Sequence, residues 1–83
     1  PVISRFLGIV ITMLWMTTRR PIFIEVGEFE ITVEIETGIV EGKFPPRALR
    51  HVLEWRELHK NELMNDWDLC RQAEMPNPIQ PLE

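Results

Sequence analysis

Residues 29–36 alternate strictly between apolar and polar side chains, in the order Phe-Glu-Ile-Thr-Val-Glu-Ile-Glu. Successive side chains on a β-strand point to opposite faces, so this pattern predicts a strand with one buried and one solvated face. Gly27 precedes the pattern and can supply the positive φ of a tight turn, and residues 22–26 are strand-like. We therefore expect an antiparallel hairpin with one face against a hydrophobic core.

A second β-patterned region precedes this hairpin. Residues 8–16, Gly-Ile-Val-Ile-Thr-Met-Leu-Trp-Met, are apolar on both faces, which is typical of a central strand covered on two sides. Thr37 and Gly38 predict a turn after the hairpin, and residues 39–41 can form a short returning strand. The sequence thus predicts an antiparallel sheet of about three or four strands over about residues 8–41.

Two consecutive prolines, Pro45 and Pro46, divide the β-patterned half of the chain from a helical half. Proline interrupts a strand but suits the first turn of a helix, so we expect a helix over about residues 46–59. Asn61 is a suitable N-cap for a second amphipathic helix over about residues 62–73. One bent helix fits the same pattern, so the sequence leaves both alternatives open.

The end of the chain is rich in proline, which occupies three of the last eight positions. Proline at this density excludes a helix or a central strand, so residues 75–83 are predicted to be an extended tail. Ile79 and Leu82 can pack the tail against the body. The predicted fold is therefore a single α+β domain over residues 1–83, with the sheet first and two helices after it.

The size of the chain predicts self-association. It has 83 residues and one cysteine, Cys70, which excludes an intrachain disulfide. A domain this small buries only about 60% of its unfolded surface and is marginally stable alone. We therefore expect a homo-oligomer, most simply a dimer, formed through the first apolar strand or through the apolar stripes of the helices. The candidate interface residues are Ile9, Ile11, Met13 and Trp15.

Basic residues are concentrated in loops and at the start of the first helix, at Arg19, Arg20, Lys43, Arg47 and Arg50. They are either a binding surface for an acidic ligand or partner, or solubilising surface charges. The formal net charge of -4 argues against nucleic acid as the ligand. An unidentified protein partner is therefore the better candidate.

No feature of the sequence predicts insertion into a membrane. The apolar stretch over residues 6–16 is shorter than the about 20 residues that a transmembrane helix requires. It also lacks the cleavage-site pattern of a signal peptide. We expect a cytoplasmic protein.

The residues that commonly carry chemistry do not form a recognisable constellation. His51 and His59 are eight residues apart, too far to share a metal ion by themselves, and Ser4 has no basic partner nearby in sequence. Cys70 lies on the apolar stripe of a helix, where a thiol is usually buried. A row of like charges is typical of a solvated strand face, as at Glu28, Glu30, Glu34 and Glu36. We therefore predict no metal, no cofactor and no enzymatic activity.

Several short runs occur in one order along nearly the whole chain: residues 1–6, 8–11, 35–38, 41–43, 48–50, 53–55 and 57–59, which read PVISRF, GIVI, IETG, EGK, ALR, LEW and ELH. Together they resemble the small bacterial domain of unknown function 4160 family. The resemblance implies a fold but not a reaction. Members of this family are typically encoded alone or beside another small domain of unknown function, and the resemblance thereby implies a regulatory or toxin-antitoxin association.

The chain differs from this family's pattern at one run. Members usually carry His-Asn-Pro-Pro-His-Phe-His after the first strand, where this chain has Thr-Arg-Arg-Pro-Ile-Phe-Ile over residues 18–24. Threonine and isoleucine cannot replace imidazole as a metal ligand or as an acid or base. Any such site in relatives therefore cannot be transferred to this chain.

The sequence supports three hypotheses about function. The first is a non-enzymatic interaction or regulatory protein, acting as a homodimer in a toxin-antitoxin-like pair, and it is favoured by the small size and the missing constellation. The second is weak binding of nucleic acid or an acidic ligand through the basic residues. The third is a degenerate enzyme that has lost a histidine site, which would retain a pocket beside residues 18–23.

Overall fold

In the part of the chain that the structure describes, five strands form one antiparallel sheet in the order in which they occur along the chain. The computed structural model describes residues 2–13 and 21–82, apart from the side chains of Pro21 and Phe23. The elements are β1 (Val2–Phe6), β2 (Ile9–Met13), β3 (Pro21–Val26), β4 (Phe29–Glu34), β5 (Val40–Gly42), α1 (Pro46–Leu58) and α2 (Lys60–Arg71). The α+β class is confirmed, but the sheet has five strands and not the three or four predicted.

The strand that the sequence did not predict is β1, which lies before residue 8. Leu7 and Gly8 connect it to β2 with φ angles of 50° and 75°. Two consecutive positive φ angles are typical of a tight hairpin turn, but leucine is an unusual residue there, so the sequence does not mark the turn. The pairing register of β1 also shifts between Val2 and Ser4. This bulge buries Ile3 and Ser4 together and hides the alternation of the strand.

The hairpin predicted from the alternating pattern is confirmed as β3 and β4. Ile24 pairs with Ile31 and lies buried, whereas Glu25 pairs with Glu30 and both side chains are exposed. Gly27, with a φ of 56°, lies in the turn between the two strands. The hairpin therefore has an apolar face that is buried and an opposite face that exposes carboxylates.

The strand β2 is not covered equally on two sides. Ile9, Ile11 and Met13 are at most 1% exposed, while Val10 and Thr12 on the other face are half-buried. The three buried side chains belong to the chain's own core, so they offer no surface to a second subunit. This corrects their assignment as interface residues. Trp15, the fourth residue of that assignment, lies outside the described residues.

One residue, His59, separates α1 from α2. Its N–H donates to the Trp55 carbonyl oxygen over 3.0 Å, and its own carbonyl oxygen accepts from the Leu63 N–H over 2.9 Å. Asn61 therefore lies inside the first turn of α2 and is not the N-cap that the sequence predicted. The two helices are distinct, yet their backbone hydrogen bonds continue across the break.

The helices cover the apolar face of the sheet. Trp55 is fully buried at the centre of this layer, and its ring centroid lies 5.8 Å from that of Phe6. Val52, Leu63 and Trp67 complete the helical side of the core. Burial of several large side chains against one sheet face provides the main stabilising free energy of a domain this small.

The end of α2 has an αL residue. Ala73 has a φ of 61°, and its N–H donates to the Cys70 carbonyl oxygen over 3.0 Å. The next N–H, of Glu74, donates to the Leu69 carbonyl oxygen over 2.8 Å. These bonds form a Schellman motif, in which glycine is the usual αL residue.

Candidate functional site

A groove of about 360 Å³ lies between the β1–β2 turn, the end of β3 and the start of α1. We call it the basic groove. Its residues are Leu7, Ile9, Val26, Pro45, Arg47, Ala48 and His51. Most of its lining is therefore apolar, while an arginine and a histidine supply its polar groups.

The local sequence places the two polar groups on one side of the groove. Pro45 and Pro46 start α1, so Arg47 and His51 fall four residues apart on the same face of the helix. The hairpin turn carries Leu7 to the opposite rim, where its side chain is 65% exposed. The groove thus combines apolar surface with cationic or hydrogen-bonding groups.

The electrostatics of this end of the molecule favour an anionic ligand. No side chain caps the N-terminus of α1, and its first turn contains no acidic residue. The helix dipole therefore places uncompensated partial positive charge near Arg47. Within the described part of the chain, neither Arg47 nor Arg50 forms an ion pair, although Glu54 lies four residues after Arg50.

The structure brings together part of the predicted basic surface. Arg47 lines the groove, Lys43 lies in the loop that leads to α1, and Arg50 is exposed on α1 without lining the groove. Arg19 and Arg20 lie outside the described residues. The sequence did not predict that Leu7 and His51 line this groove. For His51, the signal was its spacing of four residues from Arg47, which places both on one face of α1. For Leu7 there was no such signal.

A second cleft, of about 330 Å³, lies between α2 and the tail. Asp66 in this cleft is 1% exposed, and its Oδ1 accepts the Asn77 N–H over 2.9 Å. Its Oδ2 is buried and has no hydrogen-bond partner among the described residues. Burial raises the pKa of Asp66 and the Glu62 carboxylate raises it further, while the Asn77 hydrogen bond opposes this.

The model of one protein family, Domain of unknown function (DUF4160), matches residues 8–68. The chain belongs to the DUF4160 family. No curated protein matches the chain, and no solved structure matches it. The match extends from the β1–β2 turn to within α2, so it includes Arg47 and His51 but neither β1 nor the tail.

Two nucleophilic side chains in the described part of this DUF4160 domain, Ser4 and Cys70, show no sign of activation. The hydroxyl of Ser4 is buried without a hydrogen-bond partner among the described residues. Burial, and then the Asp66 carboxylate, raise the pKa of the Cys70 thiol, which disfavours the reactive thiolate. Neither group has the polarising neighbour that nucleophilic catalysis requires.

The remaining sequence hypotheses concern metal and membrane. Within residues 2–13 and 21–82, no three His, Cys, Asp or Glu side chains are arranged to hold a metal ion. None of the helices described in this DUF4160 domain is long and apolar enough to cross a bilayer. The pocket expected of a degenerate enzyme beside residues 18–23 falls largely outside the described residues.

Proposed function

We propose that this DUF4160 chain is a non-catalytic interaction domain that binds an acidic, partly apolar segment of a partner protein in the basic groove. The observation that carries the proposal is the joining of an apolar floor to Arg47 and His51 in one concave surface. Apolar contact with the groove supplies free energy of binding. Pairing of the ligand's carboxylates with Arg47 supplies orientation and specificity.

A protein segment suits the groove better than a nucleic acid does. Recognition of single strands uses aromatic rings on which bases stack, and the groove lining contains no Phe, Tyr or Trp. Glu25, Glu28 and Glu30 are exposed on and beside the hairpin, where they repel a long polyanion.

Binding of a model peptide tests this proposal. The probe is a fluorescein-labelled peptide of alternating leucine and glutamate, and the control peptide has lysine in place of glutamate. Fluorescence anisotropy should report binding of the acidic peptide only. Charge reversal by Arg47→Glu should weaken binding about tenfold or more, because it replaces attraction by repulsion at the groove.

Arg5→Glu is the matched control, since Arg5 is an exposed arginine on β1 that does not line the groove. Equal losses in Arg47→Glu and Arg5→Glu would show attraction by overall charge and would contradict a specific groove. Binding of labelled single-stranded DNA in preference to the acidic peptide would instead support the nucleic-acid alternative.

The partner that we propose is a small regulatory protein of the toxin-antitoxin kind, and we propose that the domain also self-associates as a homodimer. The regulatory setting is supported only by the family resemblance. Self-association is supported by the small size and by exposed apolar side chains such as Leu58 and Met75, which are 65% and 74% exposed. Light scattering over a dilution series tests it, and a monomer at every concentration would refute it without affecting the groove.

A further inference from the structure

Backbone groups of the tail form hydrogen bonds with the rest of the domain, as those of a bound peptide do. The N–H of Ile79 donates to the Ile3 carbonyl oxygen on β1 over 2.8 Å. The indole N–H of Trp55 on α1 donates to the Gln80 carbonyl oxygen over 2.8 Å. On α2, Asp66 accepts the Asn77 N–H over 2.9 Å. Three elements of the body thus contact three backbone groups within residues 77–80 of one extended segment.

One side chain anchors this segment. Ile79 is 5% exposed and belongs to the core, whereas its neighbours Pro78 and Gln80 are exposed. Prolines before and after it keep the segment extended, which lowers the entropy lost on docking. A buried apolar anchor, an indole donor and one bond to an edge strand are features of surfaces that recognise extended peptides.

The connection between α2 and the docked segment is exposed, and its hydrogen bonds run to the end of α2. Residues 72–75 are all exposed, and Ala73 is in the αL conformation, which is strained for a residue other than glycine. The docked segment can therefore leave its site while the backbone hydrogen bonds that end α2 remain, and α2 then loses the hydrogen bond from the Asn77 N–H to Asp66. The tail and β1 also lie outside the residues that match the family.

We propose that this surface, formed by Ile3, Trp55 and Asp66, is a peptide-binding site that also accepts the tail of a second copy of the chain. Two copies would then exchange tails and form a symmetric dimer. A tail bound to its own chain and a tail bound to a second copy make the same hydrogen bonds and bury the same Ile79 side chain. The protein concentration therefore determines which of the two states is populated. The proposal rests on the self-association proposed above and assigns its interface, but it is independent of the basic groove, with which the site shares no residue.

A peptide supplied in trans tests whether the site is competent. The probe is a fluorescein-labelled peptide with the sequence of residues 74–83, titrated into the full chain and read by anisotropy. Ile79→Asp in the full chain should increase its affinity for this peptide about tenfold or more, because the chain's own tail no longer competes. The same substitution in the peptide should abolish binding.

Two further variants keep the test interpretable. Asn77→Pro removes the N–H that Asp66 accepts but retains the anchor, so it should also increase affinity for the peptide if Ile79→Asp fails to fold. Ile39→Asp is the matched control, because Ile39 is 58% exposed in the turn before β5, and it should bind the peptide as the wild type does. Equal affinities in all chains would overturn the proposal.

Measuring the oligomeric state tests whether the tail of a second copy occupies the peptide-binding site. Light scattering should show a dimer whose fraction rises with concentration in the wild type and in Ile39→Asp. The dimer should be lost in Ile79→Asp and reduced in Asn77→Pro. A wild type that binds the peptide but remains monomeric at every concentration would overturn the second copy as occupant and would indicate another protein's peptide.

Discussion

At the scale of single residues, Arg56 links the helical layer to the sheet. It is 8% exposed, and its Nε and Nη2 donate to the carbonyl oxygens of Ile35 and Glu36, each over 2.9 Å. Its Nη1 also lies 3.2 Å from the Glu57 carboxylate. Because a guanidinium offers donors in a fixed planar fork, lysine cannot make the same set of bonds. Arg56 therefore fixes the position of α1 against the chain that leaves β4.

Gly38 should be intolerant of a side chain because of Arg56. Its φ is 79°, and a Cβ at this position would lie 3.0 Å from Arg56 Nη1. We expect Gly38→Ala to lower the free energy of unfolding by about 1–3 kcal/mol, measured by urea denaturation. Gly27→Ala is the control, because Gly27 has a φ of 56° but no atom near the added Cβ. Equal losses in the two variants would show that only backbone strain matters, not the contact with Arg56.

Asp66 should make stability depend on pH. Its folded-state pKa is raised above the ordinary value of 3.8, chiefly by burial, so the folded chain binds more protons than the unfolded chain between the two pKa values. The free energy of unfolding should therefore fall as pH rises through this window. Urea denaturation of the wild type and Asp66→Asn at several pH values measures the effect. A difference between the two proteins that does not change with pH would contradict the assignment.

At the scale of secondary-structure elements, the C-terminus of α2 offers a stabilising substitution. Ala73 is the αL residue of a Schellman motif, a position at which the side chain of alanine costs about 1 kcal/mol relative to glycine. Ala73→Gly should raise the midpoint of urea denaturation. Ala48→Gly, in the first turns of α1, is the matched control and should lower it. A lower midpoint in Ala73→Gly would mean that the added chain entropy outweighs the relief of strain.

The elements that the sequence predicted well are those whose local pattern and tertiary environment agree. The alternation in β4 and the proline pair before α1 each specify backbone conformation directly. β1 was missed because Leu7 hides a tight turn and a bulge at Ile3 breaks the alternation. The break at His59 was misplaced because Asn61 has a strong capping preference that the observed helix does not use.

The candidate sites were less predictable than the fold, because each combines residues from distant parts of the sequence. Arg47 was identified from its position at a helix start, but Leu7 joins it only through the β1–β2 turn. No local pattern marks Asp66 as buried, yet it is 1% exposed and accepts the Asn77 N–H of the tail. No local pattern encodes such contacts between residues distant in sequence.

At the scale of the whole molecule, charge is distributed unevenly. Exposed carboxylates such as Glu25 and Glu30 lie on the sheet face opposite the helices, which we call the open face. The basic groove, which Arg47 lines, lies at one end of the molecule. This separation should orient an acidic segment toward the groove during approach. Raising the ionic strength should therefore weaken binding of the acidic peptide and slow its association, as stopped-flow fluorescence can measure. A salt-independent association rate would contradict this orientation.

Mapping the bound peptide by NMR tests the groove most directly. The measurement is the change in backbone amide shifts of the labelled domain on titration with the leucine–glutamate peptide. The largest changes are expected at Leu7, Val26, Ala48 and His51, with little change at Glu30 on the open sheet face. Changes concentrated on that face or along the tail, or no changes at all, would contradict the assignment of the basic groove as the binding site.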